Sequence, residues 1–69
     1  MILNLKLEVG VINEALLQQT IRTLHQQGAA TEASLTDMSE AAAEVINANI
    51  PLADAGLELV HWEAEEEDT

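Results

Sequence analysis

Leu3, Leu5, Leu7, Val9 and Val11 take every second position at the front of the chain, with Asn4, Lys6, Glu8 and Gly10 between them. Strand side chains alternate between faces, so this spacing predicts a strand over 2–11 with one apolar and one polar face. The period then changes. Leu16, Leu17, Thr20, Ile21 and Leu24 fall on one side of a helical wheel, and Glu14, Gln18, Arg22 and His25 on the other, which predicts an amphipathic helix. Asn13 supplies an N-cap, Glu14 faces the positive end of the helix dipole, and Gly28 suits the position just past the last turn.

The stretch 28–34 (GAATEAS) reads as a loop, and DMSE after it as a capping box with Asp37 as cap and Glu40 three residues on. A second helix follows, with Met38, Ala42, Val45, Ile46 and Asn49 on one face and Glu40, Glu44 and Asn47 on the other. It is expected to stop at Ile50, because Pro51 disfavours the helical region for the residue before it. PLADAG is a turn, and 57–64 (LELVHWEA) a second strand whose pattern blurs. Strict alternation puts Leu57, Leu59 and His61 on one face and Glu58, Val60, Trp62 and Ala64 on the other, so both faces are partly apolar. Such a strand is covered on both sides, or meets a partner on one.

The expected fold is therefore α+β, a small β-α-α-β unit over 1–64 with an acidic C-terminal tail at 65–69. Two strands alone do not make a stable sheet. With 69 residues, a domain buries only about 60% of its unfolded surface, and disulfides, a structural metal or oligomerisation usually compensate. There is no cysteine, and His25 and His61 are the only histidines. The apolar residues are aliphatic apart from Trp62, with no Phe or Tyr, so the core lacks the side chains that bury most. The expected remedy is a two-fold homodimer whose strands form one shared antiparallel sheet covered by the helices.

Charge narrows the function classes. Thirteen acids against two bases, Lys6 and Arg22, give −11. The five acids Glu63, Glu65, Glu66, Glu67 and Asp68 account for much of it, yet without them the chain is still at −6. A field of that sign repels phosphate backbones and anionic membranes and favours a partner protein with a basic surface. A strand followed by helices resembles the outline of ribbon-helix-helix DNA-binding dimers, in which the polar strand face enters the major groove. Here that face offers Asn4, Lys6 and Glu8, and the electrostatics contradict the resemblance. No apolar run is long enough for a membrane span, and the first residues lack the basic leading region of a secretory signal. The absence of cysteine fits a reducing compartment, and the expected location is cytoplasmic.

Chemistry is thinly represented. The clustered C-terminal acids have no Gly-framed pocket beside them, and Ser34 and Ser39 lack a nucleophile context. Glycines 10, 28 and 56 fall at element boundaries and do not form a phosphate loop. His61 and Glu63 share a strand face, but a specific metal site needs three or four ligands, so no metal or cofactor is expected. Trp62 has two readings, as the filler of an aromatic-poor core or as an interface anchor of the kind enriched in hot spots; the filler is favoured. The candidate partner-binding residues are Trp62, Glu58, Glu63, Glu65, Glu66, Glu67 and Asp68. The expectation is a non-enzymatic inhibitor, anti-activator or adaptor, of the kind bacteria and their phages carry, that occupies a basic surface of a partner. The alternatives are a structural subunit of a larger assembly, and a nucleic-acid mimic that blocks a DNA- or RNA-binding protein.

Overall fold

The computed structural model describes residues 1–67. The order is strand β1 (Ile2–Val11), helix α1 (Glu14–Gln26), helix α2 (Met38–Asn47) and strand β2 (Leu57–Glu67), with short 3-10 turns at Glu32–Leu35 and Leu52–Ala55. It is a small α+β unit in which β1 and β2 pair antiparallel as a two-stranded sheet.

Both helices are bounded by local chemistry. The Asn13 side chain accepts from the Leu16 N–H at 3.1 Å, and the Asp37 side chain from the Ser39 N–H at 2.9 Å, each satisfying a donor the helix leaves open. At the other end of α1, Gly28 N–H donates to His25 O and Ala29 N–H to Leu24 O. The same pair closes α2, from Asn49 N–H to Ile46 O and Ile50 N–H to Val45 O. These are Schellman closures, with Gly28 (φ 74°) and Asn49 (φ 59°) in the left-handed position. Helix α2 thus ends at Asn47, earlier than the proline rule alone predicts, because Asn49 tolerates positive φ and reverses the chain first.

Leu17, Ile21 and Leu24 of α1 meet Ala41 and Val45 of α2, with Ala55 and Leu57 closing the cluster. Alanines at the helix contact allow close approach but bury little, so five larger aliphatic side chains (Leu17, Ile21, Leu24, Val45 and Leu57) supply most of this core. The buried stripe of α2 is rotated from the expected one. Ala41 and Val45 point inward, whereas Met38 and Ile46 stay half-exposed.

The helices cover only one end of the sheet. Val9 and Leu57 pack on the core, while the rest of the two strands runs outward as a ribbon. Its length gives the molecule extents of 39 × 24 × 18 Å and a radius of gyration of 13.0 Å, against about 11 Å for a compact chain of this size. Leu3 (61% exposed), Leu5 (63%) and Leu7 (41%) lie on this extension. The expected helix cover over β1 is therefore absent within one chain beyond Val9. Nor does the backbone separate a tail at residue 65, since Glu65, Glu66 and Glu67 pair with Asn4, Leu3 and Ile2.

Candidate functional site

The feature that organises the ribbon is a bulge. Glu8 pairs with His61 but Val9 pairs with Leu59, leaving Val60 without a Cα partner. One extra residue shifts the side-chain phase of β2 by one. Beyond it, Trp62 and Ala64 stand opposite Leu7 and Leu5, and before it Leu59 and Leu57 stand opposite Val9 and Val11. Side chains of directly paired residues share a face. The two half-apolar faces expected from strict alternation are thus replaced by one apolar face, Leu3, Leu5, Leu7, Val9 and Val11 with Leu57, Leu59, Trp62 and Ala64.

Gly10 makes room for the bulge. A Cβ at Gly10 would sit 3.1 Å from Val60 Cγ2 and 3.4 Å from Glu58 Cγ, which also places Val60 on the polar face with Glu58. That face carries Asn4, Lys6 and Glu8 from β1, and Glu58, His61, Glu63, Glu65 and Glu67 from β2. Successive carboxylates at 63, 65 and 67 are about 6.7 Å apart along the strand. Lys6 is the cation of this face; it stands across from Glu63, yet no carboxylate among the described residues comes within ion-pair distance of it. Glu63 instead lies 3.5 Å from His61 Nε2, both side chains being well exposed. Asn4 Nδ2 donates to Glu67 Oε2 at 3.2 Å across the far end of the ribbon.

The candidate residues therefore divide. Glu58, Glu63, Glu65 and Glu67 share one face with Glu8, whereas Glu66 and Trp62 belong to the apolar face. Asp68 lies outside the described residues. Trp62 is 58% exposed within one chain, so it does not fill the core of the helical body: it pairs with Leu7, out along the ribbon past the Val9 and Leu57 end that the helices cover. The phase shift was not visible in the residues of β2 alone, although Gly10 inside a strand pattern is the kind of signal that marks a bulge.

Clefts open both on the helical body and beside the ribbon. One, of about 400 Å³, lies between α1 and the turn into α2, lined by Leu17, Ile21, Arg22, Leu35, Met38 and Ala41 among others. Ser34 in its wall donates its hydroxyl to Thr31 O, and Glu14 and Asp37 also line the cleft. The second, of about 380 Å³, runs between β1 and α2, with Leu7, Val9, Val11, Met38, Ala42 and Ile46 in its walls. No group of three or more His, Asp or Glu side chains among the described residues converges as a metal site, and no helix is long and apolar enough to cross a membrane. Comparison of the chain with protein-family models, with curated proteins and with solved structures returned no match.

Proposed function

We propose that this chain is a non-enzymatic protein-binding regulator that occupies a basic surface of a partner through the acidic face of its ribbon. The supporting observation is the strand register, which lines up Glu58, Glu63, Glu65 and Glu67 beside Glu8 on one face. Long glutamate side chains on an extended ribbon reach a basic surface while the helical body stays clear of it. Complementary charge of this kind raises association rate and selects partners more than it sets affinity. In this reading the working form is a two-fold dimer with a shared antiparallel sheet, which doubles the carboxylates presented to a partner.

The test compares two triple variants of equal charge change. Glu63→Gln/Glu65→Gln/Glu67→Gln alters the ribbon, and Glu14→Gln/Glu32→Gln/Glu44→Gln alters the helical side. Capture from a lysate of the source cells is run at ~0.1 M and ~1 M salt, where the Debye length falls from about 10 Å to about 3 Å. The expected result is a basic protein held by the parent and the helix-side variant at low salt, and lost by the ribbon variant. Equal capture by both variants would overturn the reading.

A second reading, a subunit of a larger assembly, is favoured by the exposed leucines and Trp62 of the opposite face, because permanent interfaces are more apolar than transient ones. A partner that survives high salt and is released by Trp62→Ala would support it.

A further inference from the structure

We propose that a second copy of this chain pairs with the free edge of β1, antiparallel and centred on Leu7, to give a continuous sheet in the order β2-β1-β1-β2. The proposal rests on the dimeric reading above and adds the edge, the register and the groove that receives the incoming strand.

Both outer edges of the ribbon are unpaired among the described residues, and charge selects between them. The β2 segment carries Glu58, Glu63, Glu65, Glu66 and Glu67 with only His61 to offset them. Two β2 edges paired antiparallel over their acidic half set carboxylates against carboxylates, and like charges directly opposite destabilise a sheet. The β1 segment carries one cation, Lys6, and one anion, Glu8. Pairing β1 with β2 of the next copy is head-to-tail and gives a ring or an open filament, whereas β1 with β1 closes as a dimer on a two-fold axis.

The same two residues select the register. A centre at Lys6 sets Lys6 against itself, and one at Glu8 sets Glu8 against itself. A centre at Leu5 leaves Lys6 opposite Asn4 and Glu8 opposite Ile2. A centre at Leu7 puts Lys6 of each copy opposite Glu8 of the other, twice. It also keeps the alternating apolar side chains from Leu3 to Val11 on one face: Leu7 meets Leu7, Leu5 meets Val9 and Leu3 meets Val11.

The tertiary structure supplies the receiving surface. The cleft between β1 and α2 is lined by Leu7, Val9, Val11, Met38, Ala42 and Ile46. Those three β1 residues are the ones that face Leu7, Leu5 and Leu3 of the incoming strand. The exposed leucines of one copy thus enter beneath the half-exposed Met38 and Ile46 of the other. An edge of nine residues is about 30 Å long, and the groove walls add apolar area to what its pairing would bury. Four strands also remove the instability of an isolated two-stranded ribbon, and the acidic faces remain open for a partner.

The test uses single-cysteine variants, since the chain has no cysteine of its own. Residue 7 faces its own copy across the axis at a Cα separation of about 4.5–5.5 Å, inside the range a disulfide spans. Mild oxidation of Leu7→Cys should yield a covalent dimer, while Leu5→Cys, about 13 Å from its equivalent, and Glu63→Cys on β2 should not link. Charge variants give an independent readout by light scattering and sedimentation, with circular dichroism to confirm folding. Lys6→Glu alone and Glu8→Lys alone should each weaken self-association at least about fivefold. An equimolar mixture of the two should restore it as a heterodimer, because each unlike pair is then re-formed. A folded parent that stays monomeric at ~100 μM overturns both this proposal and the dimeric reading. A dimer that links through Leu5→Cys or Glu63→Cys, or that ignores both charge variants, overturns only the β1 register. The ribbon variant Glu63→Gln/Glu65→Gln/Glu67→Gln should dimerise at least as tightly as the parent whatever becomes of partner capture.

Discussion

Gly56 and Gly28 form a matched pair for testing what ties the ribbon to the helical body. Both are left-handed, with φ of 72° and 74°, so replacing either with Ala brings the same conformational penalty of about 1–2 kcal/mol. They differ in surroundings. A Cβ at Gly28 meets nothing within 4 Å, whereas one at Gly56 would lie 2.3 Å from the Asn13 carbonyl oxygen. That backbone cannot yield cheaply. Gly56 O accepts from Ile12 N–H at 2.8 Å and Asn13 N–H at 3.0 Å, which holds the exit of β1 against the entrance of β2. Relieving the clash weakens both bonds, each worth about 0.5–1.5 kcal/mol net, and disturbs the Asn13 cap. Gly28→Ala should therefore cost about 1–2 kcal/mol and Gly56→Ala about 3–4 kcal/mol, a large part of the stability of a small domain. Urea unfolding of both variants at one protein concentration, with unchanged m-values, measures the difference. A Gly56→Ala loss within 0.5 kcal/mol of the Gly28→Ala loss would refute the clamp.

The buried and exposed leucine-type positions should respond differently to concentration. Ile21→Ala removes a fully buried side chain and should cost about 2–5 kcal/mol at any concentration, while Leu5→Ala should cost under about 1 kcal/mol in dilute solution and more as the chain associates; a Leu5→Ala loss at micromolar protein as large as that of Ile21→Ala would contradict the exposure of Leu5, and equal Leu5→Ala losses at micromolar and near-millimolar protein would contradict its burial on association. Deleting residues 65–69 removes the strand partners of Ile2, Leu3 and Asn4, so amide exchange in residues 2–4 should speed up about tenfold while α1 and α2 keep their protection. Unchanged exchange there would mean that the Glu65–Glu67 pairing does not hold the end of β1.

What the residues disclosed by themselves was whatever is decided within a few positions. The alternation from Leu3 to Val11, the caps at Asn13 and Asp37, and the stop at Gly28 all act through neighbours in the chain, and β1, α1 and α2 stand where that chemistry puts them. The stop after α2 was legible only in part, since Pro51 announced an end that Asn49 brings forward. Facing and exposure were not local. Whether Val60 is accommodated by a bulge depends on Gly10, which lies far away in sequence and across the ribbon in space, and that one extra residue moved Trp62 and Ala64 to the apolar face. Likewise an alternating strand shows which side chains share a face but not what covers them. The same leucines would be core under a long helix and are exposed here, because α1 and α2 span only the Val9 and Leu57 end of the ribbon. Secondary structure was written in short-range hydrogen bonding and side-chain period, while the site was decided by a register between two strands at opposite ends of the chain.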